Sequence, residues 1–165
     1  MTWKLKGSSE AFRGLAATVV AGAVGGAIAI GLMEDLSARA DYPLMMVPFA
    51  TSIVLVMGMP DAEPAQPRAL IGGHLVATLA GLVVLQVTGA APWAAALAVG
   101  VAMAAMHLTR TFHPPAGIDA LIVVAYGLPW RFLLVPVAVG AFILALFAYA
   151  WHNLVRRGSW PLRWR

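Results

Sequence analysis

Apolar residues run along this chain in six blocks, at 14–33, 44–58, 69–88, 93–109, 116–127 and 132–151, separated by short polar or turn-forming stretches. A helix rises 1.5 Å per residue, so about 20 apolar residues cross the roughly 30 Å of a hydrocarbon core. The first, third and sixth blocks have 20 residues and the fourth has 17. The second and fifth are short, with 15 and 12 residues, and as helices would reach only about 22 and 18 Å. Proline stands at the start of each short block, Pro48 in one and Pro114-Pro115 before the other. Proline suits a first helical turn and drives the preceding residue into an extended conformation. Each short block therefore predicts an extended lead-in followed by a short helix. Lipid cannot satisfy such a backbone, so it must be buried in protein or line a wet cavity.

The order long, short, long then recurs, which predicts two repeats of three segments, 14–88 and 93–151, followed by a tail at 152–165. Local echoes support it. Pro48-Phe49-Ala50-Thr51-Ser52-Ile53-Val54 aligns with Pro115-Ala116-Gly117-Ile118-Asp119-Ala120-Leu121, and Pro67-Arg68 with Trp130-Arg131. Small residues line each first helix, Gly22 and Gly26 in one and Ala96, Gly100 and Ala104 in the other, a pattern that permits close helix approach. Three crossings per repeat would invert the second repeat relative to the first. Six crossings with both termini inside put nine basic residues (Lys4, Lys6, Arg13, Arg68, Arg110, Arg156, Arg157, Arg163 and Arg165) on the inner side and only Arg39 and Arg131 outside. Four crossings would leave seven and four. The positive-inside rule favours six, with the acidic stretch of Glu34, Asp35 and Asp41 as an outer loop. All six tryptophans fall at or beyond block ends, where an interfacial aromatic belt belongs, and the tail is expected along the inner headgroups.

Composition supports the bilayer. Of 165 residues, 61% are hydrophobic and 11% charged, and the mean hydropathy is +0.84. Soluble domains hold about 45–50% apolar and about 25% charged residues, and a chain of this size could not hide the excess. The fold class is therefore an all-α polytopic helical bundle in a single transmembrane domain, expected in a bacterial-type inner membrane. Without cysteine, disulfide scaffolds and thiolate chemistry are excluded. The net charge of +4 sits at the ends and follows topology, so nucleic acid is not an expected partner. Lys4, Lys6 and Arg13 before an apolar run, with Ala38-Arg39-Ala40 after it, imitate a secretory signal. The 20-residue run exceeds the usual 7–15 or so of a signal core, so it reads as a retained first span.

Polar groups inside apolar spans are functional candidates by default. Here they are His74, His107, His113, Asp119, Arg68, Arg110 and Arg131, with Thr51, Ser52, Thr109 and Thr111 beside them. The densest stretch, Thr109 to Asp119, places a cation, a histidine and hydroxyls before a proline-initiated helix. Helix N-termini favour anions, and interrupted helices in matching positions of two repeats point to a transporter's site. Pro48 and Pro115 would start short helices whose N–H groups face the site. Arg68, Arg110 and His113 would supply positive potential, and Thr51, Ser52 and Thr111 hydroxyl donors. Pro114, Gly117 and His74 complete the candidate set, with Asp119 a proton carrier. Each has a plainer reading: Arg110 as a snorkelling side chain, His-Pro-Pro as a turn, Asp119 as an ion-pair partner, His74 as a packed histidine. Gly72-Gly73 before His74 would admit a close backbone, expected to be the Pro48 segment. No pair of histidines has tight metal-ligand spacing, and no hydrolase or redox motif is present, so no enzyme, cofactor or resident metal is expected.

Thr111-Phe112-His113-Pro114-Pro115-Ala116-Gly117 resembles the signature of the HPP family of integral membrane proteins. Val47-Pro48-Phe49-Ala50-Thr51-Ser52 and Gln66-Pro67-Arg68-Ala69-Leu70-Ile71-Gly72-Gly73-His74 resemble further stretches of that pattern, in order, over roughly 12–153. The resemblance implies a small helical membrane protein with four or more spans, and nitrite transport, the activity associated with plastid and cyanobacterial members. This chain departs at Ala50-Thr51-Ser52, where the family often has Gly-Ala-Ser, and near Ile118 and Asp119, where Ala or Asn is common. The expectation is a transporter or channel for nitrite or a similar small anion, acting as a homo-oligomer in the bilayer, in which the Gly22/Gly26 face could pair the copies. The alternatives are a divalent metal or cation permease and a non-transporting scaffold or sensor subunit.

Overall fold

The computed structural model of the chain describes residues 3–40 and 47–162. Six α-helices form it: α1 Trp3–Ala40, α2 Val47–Gly58, α3 Pro67–Thr88, α4 Pro92–Leu108, α5 Gly117–Ala125 and α6 Val139–Val155. Short 3₁₀ turns, Glu63–Ala65 and Pro114–Ala116, precede α3 and α5. No strand occurs among the described residues. The six apolar blocks thus correspond to the six helices, and the long-short-long pattern holds. Three helices are long and apolar enough to span a bilayer, Phe12–Arg39, Pro67–Thr88 and Leu133–Val155.

Boundaries differ from the expectation where local chemistry overrides hydropathy. α1 has 38 residues and runs through Glu34 and Asp35, which were expected in a loop; Asp41 lies outside the described residues. Arg39 Nε donates to Asp35 Oδ2 at 2.7 Å across one turn, a spacing that supports a helix, and no proline intervenes before Pro43. The sixth block is broken at its start. Leu133–Ala138 has widened, π-type turns with an extended residue at Val135 (φ −130°, ψ 118°). Buried Pro136 cannot donate to the helical ladder and interrupts it there.

α3 is the hub. It packs against α4, α5, α6 and the irregular 133–138 segment, while α6 also meets α1 and α2. The α3–α4–α5 seam is built of alanine, with Ala77, Ala80, Ala94, Ala95, Ala98, Ala102, Ala116 and Ala120 in one buried cluster. A Cβ on Gly81 would come within 2.8 Å of the Ala120 backbone, so small side chains set this spacing. The other seam uses larger groups, with Met33, Phe49, Ile53, Leu70 and Leu144 packed together.

Gly22 belongs to that second seam. A Cβ there would lie 2.8 Å from the Met57 carbonyl oxygen. The Gly22/Gly26 face suggested for pairing copies is therefore used by α2 of the same chain. The corresponding Ala96, Gly100 and Ala104 are exposed, and α4 buries Ala94, Ala98 and Ala102 instead. The tail also departs from expectation. Trp160 is 2% exposed within the core rather than in the headgroup belt. Hydrogen bonds from Ser159 Oγ to His152 O (2.8 Å) and from Leu162 N to Gln66 Oε1 (2.9 Å) fold the tail back onto the α2–α3 loop. Arg163, Trp164 and Arg165 lie outside the described residues, as does the side chain of Trp3.

The basic segments gather at one end. Ala17 and Thr18 of α1 border a cavity with Pro60, Asp61 and the end of α6 at Arg156. Glu63 and Pro64 border another with Arg110, and the Arg68 guanidinium donates to Thr109 O at 3.0 Å.

Candidate functional site

The two short helices converge on one histidine. Pro48 opens α2, and one turn later Ser52 is fully buried. The Pro114–Ala116 turn opens α5, and Asp119 lies in its first turn, also fully buried. Between them, from α3, stands fully buried His74. Its Nδ1 is 2.6 Å from Asp119 Oδ2 and its Nε2 is 2.9 Å from Ser52 Oγ. Ser52 Oγ is also 2.8 Å from His113 Nε2, and His113 Nδ1 is 2.7 Å from Pro64 O. A continuous chain of hydrogen bonds thus runs Asp119, His74, Ser52, His113, Pro64. Phe49 stacks on the His74 ring at 4.6 Å between centroids.

Glycine makes the convergence possible at Gly72-Gly73, as the sequence suggested, though with a different partner. A Cβ on Gly73 would lie 2.5 Å from His113 Cβ and 2.8 Å from Thr111 O, and one on Gly72 would lie 2.6 Å from Thr111 Cγ2. The backbone that approaches Gly72-Gly73 is the Thr111–His113 strand of chain, not the Pro48 segment. α2 meets His74 through the side chains of Phe49 and Ser52 instead.

Donor and acceptor roles follow from the two ends of the chain. Pro64 O only accepts, so His113 carries hydrogen on Nδ1. A neutral His113 must then accept at Nε2, and Ser52 O–H donates to it. Ser52 has one hydrogen, so His74 Nε2–H donates to Ser52 Oγ. One further proton is shared between His74 Nδ1 and Asp119 Oδ2. Ser52 Oγ also lies 2.8 Å from Pro48 O, a second acceptor toward which its hydroxyl can rotate. Asp119 Oδ1 has no hydrogen-bond partner among the described residues, a costly arrangement for a buried oxygen.

The remaining candidates lie nearer the basic end. Thr111 is buried, its Oγ1 2.7 Å from Thr109 Oγ1. Arg110 is exposed and has φ 56°, the left-handed region that a non-glycine residue seldom occupies. It borders a cavity of about 270 Å³ with Glu63, Pro64, Ala69, His107 and Phe112. His107 stacks on Phe112 at 4.1 Å. Pro64 and Phe112 form the boundary between this vestibule and the buried chain, since Pro64 O bonds His113 and Phe112 precedes it. Arg68 is exposed and caps Thr109 O; Thr51 is exposed and turns its hydroxyl to Pro48 O at 2.9 Å. Pro114 and Arg131 are exposed, and Gly117 is the first residue of α5. The Ala116 N–H, expected to face an anion, donates to His113 O at 3.0 Å. The candidates therefore divide into a buried chain of Ser52, His74, His113 and Asp119 and a vestibule edged by Arg110. Pro64 is the member that sequence reasoning missed; its signal was a proline after an acidic residue in a loop, which nothing tied to His113. No three His, Asp or Glu groups among the described residues form a metal-binding cluster.

A family model for the transmembrane region of HPP proteins matches residues 12–161. The chain belongs to the HPP transmembrane family. Two transmembrane proteins of Dictyostelium discoideum are similar to it. One is 40% identical over 124 residues, covering 70% of this chain and 40% of the relative. The other is 38% identical over 133 residues, covering 76% and 47%. The chain thus spans less than half the length of these curated relatives. No solved structure matches it. Within the HPP signature of this chain, His113 belongs to the buried hydrogen-bonded chain and Pro114 and Pro115 form the turn that opens α5.

Proposed function

We propose that this HPP-family protein carries a small anion, with nitrite as substrate, through a bilayer, entering at the vestibule beside Arg110. The observation that carries this reading is the meeting of a cavity edged by Arg110 with a buried polar chain where two short helices converge. Arg110 makes no ion pair among the described residues, and its backbone strain, of order 1–3 kcal/mol, is the kind held at functional sites. His107 adds a donor, and Glu63, which also lines the cavity, is the charge that an anion would displace as the neighbour of Arg110. The packing also supports two inverted repeats: α3 rests on α4 and α5, as α6 rests on α1 and α2. The basic end is then cytoplasmic by the positive-inside rule. A homo-oligomer would use a face other than Gly22/Gly26. An inside-negative potential of 100 mV costs an entering anion about 2.3 kcal/mol, so net uptake needs a compensating charge.

The deciding experiment is nitrite flux in proteoliposomes. The wild type should exchange nitrite, and Arg110→Gln should slow it by about tenfold for each 1.4 kcal/mol of anion stabilisation removed. Normal flux in Arg110→Gln would remove the vestibule from the pathway. No flux in the wild type would favour a scaffold or sensor role, and flux of divalent cations instead would favour a metal permease.

One geometry favours a second reading. Ser52, His74 and Asp119 have the spacing and ring orientation of a hydrolytic triad. Activation of Ser52, however, requires His74 Nε2 to accept the serine proton, whereas a neutral His113 takes that proton and makes His74 the donor. Ser52 is also 0% exposed. Covalent labelling of Ser52 by a fluorophosphonate would establish the hydrolase reading; an unlabelled protein with nitrite flux would end it.

A further inference from the structure

Beyond anion passage, we propose that Asp119, His74, Ser52 and His113 are a proton relay that moves one positive charge from the Asp119–His74 pair to His113 when an anion occupies the vestibule. The inference rests on the transport reading and adds how the buried chain answers the charge of the anion. Three distances of 2.6, 2.9 and 2.8 Å join the four side chains without a gap. All four are fully buried, so the path is sealed from competing water.

The transfer balances. In the first state a proton is shared by Asp119 Oδ2 and His74 Nδ1, His74 Nε2–H donates to Ser52, and Ser52 O–H donates to His113 Nε2. In the second, the shared proton rests on His74 Nδ1, His74 Nε2–H has passed to Ser52, and the former Ser52 proton is on His113 Nε2. Ser52 exchanges one O–H for another. Each state holds the same protons and the same net charge. Asp119 is then a carboxylate and His113 an imidazolium that donates to Pro64 O and Ser52. One positive charge has left the Asp119–His74 pair for His113, whose ring lies 5.1 Å from that of His74, toward Pro64 and the vestibule. An anion beside Pro64 and Phe112 stabilises the second state, so its arrival draws the proton.

The charged and titratable groups around the relay are compatible with this direction. α2 contributes none besides Ser52. α3 contributes His74 and, at the rim, Arg68; α5 contributes Asp119; the loops contribute Glu63 and Arg110, and α4 His107 at the vestibule. His152 of α6 is bonded to Val56 O at 3.0 Å and lies outside the chain of bonds.

The test uses the full chain in liposomes with nitrite as the probe. Nitrite exchange at equal concentrations on both sides is compared between variants. Asp119→Asn, which has no proton to pass to His74, should slow exchange by more than about tenfold, one factor of ten for each 1.4 kcal/mol of anion stabilisation lost. Ser52→Ala should slow exchange as much, and Ser52→Thr, which keeps the hydroxyl, should retain it. Wild-type exchange in Asp119→Asn or in Ser52→Ala would overturn the relay. A readout without variants is ¹⁵N NMR of the histidine rings in nanodiscs. Nitrite should convert His113 Nε2 from unprotonated to protonated and His74 Nε2 the reverse. Unchanged ring shifts beside normal exchange would overturn the relay alone, whereas absence of wild-type exchange would overturn the transport reading beneath it.

Discussion

α2 and α5 reach His74 at the two nitrogens of one ring, with side chains of opposite chemistry. Each has proline at its start or in the turn that leads into it, and each presents its polar group four residues later, Ser52 after Pro48 and Asp119 after Pro115. The serine side is saturated, with His74, His113 and Pro48 O all in hydrogen-bond range. The aspartate side has one partner and leaves Oδ1 without another among the described residues. A symmetric pair of hydroxyls would hold a histidine equally from both sides. This unequal pair gives the bond chain a direction, with an acid at one end and, beyond His113, a carbonyl that only accepts at the other.

The change that breaks the comparison most completely is His74→Ala. It leaves Ser52 without one partner and Asp119 without the only one it has among the described residues, in a fully buried site. Loss of one member of a buried charged pair costs about 3–5 kcal/mol, so the denaturation midpoint of the purified protein should fall sharply. A midpoint close to wild type would mean that the helices are held by apolar packing alone.

A smaller effect separates the lead-in of α5 from its first helical residue. Gly73→Ala drives a Cβ against His113 and the Thr111 carbonyl. Overpacking of this kind costs about 1–3 kcal/mol, and displaced His113 should slow transport as well. Gly117→Ala meets nothing within 4 Å and replaces glycine in a helix, a gain of up to about 1 kcal/mol. Equal effects of the two substitutions in thermal unfolding would show that the Thr111–His113 approach is not tight. Transport lost in Gly117→Ala, with stability retained, would return Gly117 to the site.

The smallest effect is expected at the rim. Arg68→Gln removes an exposed guanidinium that caps Thr109 O. In solvent this should cost less than about 1 kcal/mol, the range of exposed charged contacts. Nitrite exchange should fall less than in Arg110→Gln, because Arg68 is already committed to a backbone carbonyl. The reverse order in side-by-side flux measurements would assign the main positive potential to Arg68.

Hydropathy and proline positions alone determined the helical class, six segments, two of them short, and the residues worth suspecting. These signals are local: span length follows from the rise per residue, and a helix start from the lost N–H of proline. Polar residues within the apolar blocks are few enough that Ser52, His74, His113 and Asp119 were all among the candidates before any contact was known, though not set apart from Arg68, Arg110 or the threonines. Which of them meet was not readable, because hydrogen bonds across 22, 45 and 61 residues depend on how helices rotate and approach. The same limit hid Pro64, since any loop carbonyl looks alike in sequence, and it hid Trp160, whose burial depends on the tail folding back. Small-residue stripes were equally ambiguous, because Gly22 and Gly100 share a pattern while only Gly22 has a helix against it. Tertiary structure decided these points because backbone approach, donor direction and exclusion of water belong to several segments at once, and no one segment encodes them.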